Sequence, residues 1–237
     1  MGLSGSRLLR DNGPVRELLR SGRWFLGLPD AFQDTLLTHG VIRDVSDGER
    51  LFSRGDPPTG MFAVLDGAVR ITATTEAGKE ALLLLQEPPA WFGEIAVFDG
   101  QPRTHDAIGY GAARVLHVTS DALAAMLHAH PAWWRDLGLL VTQKLRLALL
   151  ALEDSATQPL AKRLARRLAW MAAGYGDWHG RTARELSVSQ EELASMMSAS
   201  RQSVNQCLKD FEWKGLLRVS YGSVAILDLG ALRAAGE

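Results

Sequence analysis

A single cysteine, Cys207, stands in this chain of 237 residues. One thiol excludes an intrachain disulfide and a cysteine-held metal or iron–sulfur centre within one chain. Cys207 itself reads as a small buried apolar residue on the inner side of a helix. Long apolar runs are missing too. The greasiest segment, Leu137 to Leu152, contains Lys144 and Arg146 and is too short to span a bilayer. Arg7, Arg10 and Asp11 interrupt any early apolar run, so no secretory signal is expected. The expectation is a soluble, cytoplasmic protein with no membrane partner. There is no internal repeat, no Walker-type loop, no convincing nucleophile–base set and no metal-ligand cluster, so an enzyme is not expected. Disorder is excluded by composition, since 46% apolar and 22% charged residues are globular values.

Net charge is also small, −1 overall, but it is unevenly spread. Residues 1–156 carry 15 Lys/Arg against 19 Asp/Glu, whereas residues 157–237 carry 11 against 8. A mildly basic C-terminal part is compatible with a phosphate-facing surface, and equally with many domains that have no such partner.

What is present divides into three textures. Residues 1–22 are polar and Arg-rich and read as short helices or a partly ordered arm. From Val41 to Val118, short apolar runs alternate with turn residues. The expected strands are 41–45, 50–53, 61–65, 68–74, 80–86, 95–98, 106–108 and 114–119. Turns are expected at Asp47-Gly48, Gly55-Asp56-Pro57-Pro58, Asp66-Gly67, Ala77-Gly78 and Asp99-Gly100. Even spacing with Gly-containing turns predicts a barrel, roll or sandwich. Helical patterns follow over 121–130, stopped by Pro131, and over 132–154. In the long helix Val141, Leu145, Ala148 and Leu152 keep the 4-3-4 spacing of a coiled-coil seam. The alternative is a helix packed on its own domain, but Leu147, Leu149 and Leu150 make it apolar on more than one face, which calls for more than one partner.

After Gln158-Pro159 another helix, 160–173, carries Lys162, Arg163, Arg166 and Arg167, read either as a phosphate-facing cluster or as a solvated face. Ser189 and Glu192 then stand in the spacing of a capping box, which starts a helix at Gln190. Leu193, Met196 and Met197 form its buried stripe. Ser198-Ala199-Ser200 interrupts the pattern, and Ser200 can cap a second helix. There Val204, Leu208 and Phe211 fall on one side and Arg201, Gln202, Asn205 and Gln206 on the other. Such a pair is what a helix-turn-helix needs, because Arg can bond guanine and Gln or Asn adenine bidentately. On its own it reads equally well as an ordinary helical hairpin. The runs 216–219 and 224–227 flank Tyr221-Gly222-Ser223, the position of a wing.

A second dense signal is Phe92-Gly93-Glu94-Ile95-Ala96 followed by Gln101-Pro102-Arg103-Thr104. Glycine lets backbone approach an anion closely, and a short helical turn from Glu94 would add N–H groups. Arg103 offers a planar donor fork and Thr104 a hydroxyl to phosphate; Glu94 can accept from a ribose hydroxyl. The bland alternative is a turn with a surface ion pair.

Taken in order, Gly48-Glu49, Gly55-Asp56, Met61-Phe62, Asp66-Gly67, Gly78-Lys79-Glu80, Phe92-Gly93-Glu94 and Pro102-Arg103-Thr104 resemble a cyclic-nucleotide-binding β-roll. With the long helix and the Ser200-Arg201 winged helix-turn-helix, residues 25–230 resemble the cAMP receptor protein/fumarate-nitrate regulator (Crp/Fnr) family of bacterial transcription factors. The resemblance implies an α+β chain: an N-terminal arm (1–24), a β-roll (25–131), a dimerisation helix (132–156) and a winged helix-turn-helix DNA-binding domain (157–237). It implies an effector site of Gly93, Glu94, Ile95, Ala96, Arg103 and Thr104. The DNA-facing set is Ser200, Arg201, Gln202, Ser203, Asn205 and Gln206, and the dimer seam is Val141, Leu145, Ala148 and Leu152. Implied partners are a palindromic double-stranded operator, a second copy, RNA polymerase and a small effector such as a cyclic nucleotide.

Departures from the pattern shape the effector expectation. Ala148 and Leu149 replace the helix groups that meet adenine in the cAMP receptor protein, and Leu84 replaces a small polar strand residue. Asp106 places a carboxylate near the phosphate site; a like-charge contact at about 4 Å would cost about 4 kcal/mol at an effective dielectric near 20, unless Asp106 points away or pairs with Arg103 or His105. Weak cAMP binding with little discrimination from cGMP is therefore expected. A roll that binds no nucleotide and serves as a dimer scaffold is one alternative. A regulatory subunit acting on a protein partner is another.

Overall fold

A computed structural model describes residues 7–8, 13–74, 80–179 and 182–237. The expected Ala77-Gly78 turn and the Gly78-Lys79 pair lie outside the described residues. The chain forms two compact units that divide between Lys144 and Leu145, inside the long helix, with residues 81–83 grouped with the second.

The first unit is built on one sheet. Strands β1 (Arg7–Leu8), β2 (Val41–Val45), β7 (Asp106–Thr119), β4 (Gly60–Thr74) and β5 (Glu80–Gln86) lie in that order; β3 (Arg50–Phe52) pairs with β7 and β6 (Trp91–Phe92) with β4. Strands β4 and β7 run antiparallel from Gly60–Thr119 to Thr72–Asp106. The two strands expected over 61–65 and 68–74 are thus one, and the runs 106–108 and 114–119 likewise merge into β7. The Asp66-Gly67 signal makes a bulge instead of a reversal, because the partner strand continues past it. Gly67 sits at φ +65° with the Ala112 carbonyl oxygen 2.3 Å from where a Cβ would stand, so only glycine passes there.

Helices α1 (Gly13–Arg20), α2 (Arg23–Leu26) and α3 (Asp30–His39) precede the sheet, α4 (Ile95–Asp99) interrupts it and α5 (Ser120–Ala129) follows it. The strand expected over 95–98 is α4. A short apolar run does not by itself distinguish strand from buried helical turn, and here the bend at Gly93 starts a turn of helix. Two cores result. One packs helices on the sheet through aromatic pairs: Phe25 stacks on Trp91 at 5.9 Å and Phe32 on Trp133 at 4.5 Å. The other fills the roll with Phe52, Phe62, Val64, Val69, Phe92 and Val115.

Helix α6 (Trp133–Thr157) crosses the division between the units. In the second unit α7 (Leu160–Ala172), α8 (Gln190–Met197), α9 (Arg201–Trp213) and α10 (Leu229–Gly236) surround a small sheet ordered β8 (Glu185–Leu186), β10 (Ser223–Ile226), β9 (Leu217–Ser220). Leu164, Leu168, Leu193, Val204, Leu208 and Leu217 are fully buried in its core. The capping box at Ser189 is formed in both directions: Glu192 N–H donates to Ser189 Oγ at 3.2 Å, and Ser189 N–H to Glu192 Oε2 at 2.8 Å. Ser198 ends α8 in the left-handed region at φ +51°, and Ser200 Oγ caps α9 by accepting from Ser203 N–H at 3.1 Å.

The basic cluster on α7 is not a freely solvated face, since each member has partners within the protein. Lys162 donates to the Glu237 carbonyl at 2.7 Å, and Arg166 to the Gly236 carbonyl at 2.6 Å and to the buried Asp154 carboxylate. Arg163 reaches the Met197 carbonyl at 3.4 Å and Arg167 the Leu83 carbonyl at 3.2 Å. All four side chains are half-buried.

Candidate effector site and nucleic-acid interface

Strand β6 delivers Gly93 to the edge of the roll, and β7 begins just after Arg103. The two meet: Arg103 Nη1 donates to the Gly93 carbonyl at 2.9 Å. Its Nη2 donates to the Gly60 carbonyl at 2.7 Å and to Thr59 Oγ1 at 3.2 Å. The guanidinium lies over the Phe52 ring at 4.2 Å, a cation–π contact. Arg103 is 4% exposed, and its Nε is buried without a hydrogen-bond partner among the described residues. Burial lowers its pKa, with Glu94 and Asp56 opposing the shift. Gly93 stands at φ +93°, where a Cβ would come within 3.0 Å of Arg103 Nη1 and of the Gly60 oxygen. A side chain there would intrude on the cradle.

Glu94 is 3% exposed, an uncommon burial for a carboxylate. Lys144 of α6 pairs with it, Nζ to Oε2 at 2.9 Å, and also donates to the Trp91 carbonyl at 2.6 Å. The rest of the expected set is looser. Ala96 is buried in α4, Ile95 is exposed, and the exposed Thr104 hydroxyl bonds His105 Nδ1 at 2.9 Å rather than joining Arg103. Below Arg103, His117 stacks on Phe62 at 4.3 Å. Burial lowers the His117 pKa, helped by Arg43 and Arg103 and opposed by the Thr59 carbonyl.

The like-charge conflict expected of Asp106 does not arise. Its carboxylate accepts from Arg54 N–H at 2.7 Å and from Thr74 Oγ1 at 3.3 Å and pairs with Arg50 at 3.1 Å, not with Arg103 or His105. Burial raises the Asp106 carboxyl, but the Arg54 N–H, the Arg50 guanidinium and the Thr74 hydroxyl outweigh it and hold the pKa below the usual carboxylate value. A depressed folded pKa stabilises above the unfolded value, about 3.9, and the contribution fades as pH falls through the folded one. Asp106→Asn should therefore lower stability at neutral pH, and the deficit should shrink below about pH 4. Urea unfolding at both pH values checks this; an equal deficit at both would assign the loss to packing.

In the second unit, α9 turns Val204, Leu208 and Phe211 into the core and leaves Arg201, Gln202, Ser203 and Gln206 exposed, with Asn205 half-buried. Ser200 and Ser203 are engaged with each other at the cap, and Gln206 Nε2 donates to Asp210 Oδ1 at 3.0 Å. Cys207 is half-buried against the core, and burial raises its thiol pKa, aided by Asp210. At the far end of α9 Trp213 is 86% exposed, and Tyr221 is fully exposed at the tip of the β9–β10 hairpin. On α6, Leu145, Leu149, Leu150 and Leu152 are exposed, Ala148 with them, and Val141 is half-buried.

Comparison with known proteins fits this geometry. A family model of the cyclic nucleotide-binding domain matches residues 42–130, and one of the Crp-like helix-turn-helix domain matches residues 162–235. A CRP-like cAMP-activated global transcriptional regulator of Mycobacterium tuberculosis is 31% identical over 186 residues, 78% of this chain and 83% of the relative. The chain belongs to the Crp/Fnr family of transcriptional regulators. Transcriptional regulator SdrP of Thermus thermophilus is 30% identical over 74% of this chain and 83% of its own. A solved Crp/Fnr-family regulator from Thermus thermophilus superposes with a TM-score of 0.65 at 26% identity, over 82% of this chain and 97% of that one. These relatives are transcriptional regulators, not enzymes. Among the described residues no helix is long and apolar enough to cross a membrane.

For a Crp/Fnr regulator, the residue that sequence reasoning missed at the roll is Lys144. The available signal was a lone lysine inside the apolar run from Leu137 to Leu152. Its partner Glu94 lies fifty residues away in sequence, and nothing local announces the pairing.

Proposed function

We propose that this Crp/Fnr-family regulator works as a homodimer that reads a palindromic operator with α9 and senses a small phosphate-bearing effector in its roll. The carrying observation is the doubly capped α8–α9 pair, which buries its apolar side and leaves Arg201, Gln202 and Gln206 outward. Residues 157–237 serve DNA, 25–131 the effector and 132–156 dimerisation, with 1–24 as an arm. The exposed leucines of α6 support a second copy as their cover. RNA polymerase is the downstream partner this role needs. Arg201→Ala should cost about 1–3 kcal/mol of specific affinity and relax preference at one base pair per half-site. Operator selection with the variant tests it; an unchanged site at unchanged affinity would remove Arg201 as a base reader.

The Mycobacterium relative's description as cAMP-activated makes a cyclic nucleotide the first effector class to consider. Gly93, Glu94 and Arg103 fit the phosphate–ribose half: a close-approach glycine, a buried carboxylate and a buried guanidinium with an unused Nε. Ala148, Leu149 and Leu84 bring no group that could bond a purine edge. Each missing bond weakens binding by about 0.5–1.5 kcal/mol, more where a polar group is left unpaired. Calorimetric titration should therefore find weak cAMP binding with little preference over cGMP. Asp106, neutralised by Arg50, does not add to that weakness. Tight, cAMP-selective binding would refute this reading. A second reading, a roll that only scaffolds the dimer, draws on the capture of Arg103 by the Gly93 and Gly60 carbonyls; no heat with either nucleotide would favour it.

A further inference from the structure

A cavity of about 60 Å³ lies in the second unit between the end of α6, α7 and the turn after α8. Arg163 and Arg167 line it, with Trp170 as an aromatic wall and Ser155 and Ser198 adding hydroxyls. Its one lining carboxylate, Asp154, is already paired with Arg166, so the two lining guanidiniums are left as surplus positive charge. Arg163 is underused as well. Its Nε is buried with no hydrogen-bond partner among the described residues, and its one bond, to the Met197 carbonyl, is long at 3.4 Å. A buried donor without a partner is costly, and a guanidinium fork matches a tetrahedral oxyanion.

We infer that this cavity is a binding site for a phosphate-type oxyanion, held by Arg163 and Arg167. A tetrahedral oxyanion suits this polar, guanidinium-lined space, whose lining shares no residue with the roll site. The site is therefore separate from the roll and independent of the effector reading above. An occupant bonded to Arg163 while that side chain holds the Met197 carbonyl would tie α7 to the turn between α8 and α9. The phosphate could come from solution or from a DNA backbone, since the recognising chemistry is the same.

The probe is inorganic phosphate, titrated calorimetrically into the full chain against chloride at constant ionic strength. Arg163→Gln and Arg167→Gln are compared with the unaltered protein, and Arg163→Lys keeps the charge without the fork. Thermal unfolding in chloride shows that each variant is folded. Saturable binding weakened about tenfold or more by either glutamine variant, and only partly rescued by lysine, is the expected result. Absence of saturable binding to the unaltered protein, or equal binding by the glutamine variants, would overturn the site. A parallel salt titration with duplex DNA separates the sources. An Arg163→Gln salt slope lower by about one assigns the phosphate to DNA, and an unchanged slope assigns it to solution.

Discussion

Leu145→Glu should turn the protein into monomers and weaken operator binding by about two orders of magnitude, because two linked half-sites become one. In the isolated chain Leu145 is 53% exposed and Leu152 67%, side by side on α6 with Leu149 and Leu150. Burying a leucine is worth about 1.5–3 kcal/mol, so a two-fold seam of such residues gains on each side of the axis. A glutamate at the seam would meet its own copy across that axis, adding like-charge repulsion to the lost burial. Sedimentation velocity decides the point, and an intact dimer would move the interface elsewhere.

Asp154→Ala should destabilise the second unit by about 3 kcal/mol, toward the low end for a broken buried pair because Arg166 keeps partial solvent contact. Asp154 is 5% exposed and pairs with Arg166, which also bonds the Gly236 carbonyl, so one carboxylate helps fasten α6, α7 and the end of α10. The alanine leaves a half-buried guanidinium without its counter-charge. Urea unfolding monitored on the second unit measures the loss; a change under about 1 kcal/mol would mean that Arg166 finds water or another acceptor.

How far the chain could be read without coordinates varies with the range of the interaction. The caps of α8 and α9 depend on side chains three residues apart, so Ser189, Glu192, Ser200 and the inward stripe of Val204, Leu208 and Phe211 were visible in the sequence. The order of motifs across the roll was visible too, but local turn chemistry misled where a long partner strand overruled it, as at Asp66-Gly67. Helix α3 and the aromatic pairs of Phe25 and Phe32 went unread because their partners, Trp91 and Trp133, are far away in sequence. At the roll the cluster of Gly93, Glu94 and Arg103 was legible as types at a spacing. The charges that complete the picture, Lys144 on Glu94 and Arg50 on Asp106, come from distant elements and required coordinates. The partners of the α7 basic cluster were hidden for the same reason, since its acceptors are the Asp154 carboxylate and backbone carbonyls of remote residues.

Trp213 gives the protein an optical handle of its own. Trp24, Trp91, Trp133 and Trp178 are buried, whereas the Trp213 indole stands in water at the end of α9. Its fluorescence should be red-shifted and open to acrylamide, with Trp134 at 38% exposure adding a smaller accessible signal, while the buried indoles should emit at shorter wavelength and be shielded. Because the side chain is almost wholly exposed, Trp213→Phe removes that signal with little disturbance to the core, and the difference between the two spectra isolates one residue. Engagement of α9 with another molecule can thus be followed by quencher access in unlabelled protein, at the helix that carries Arg201.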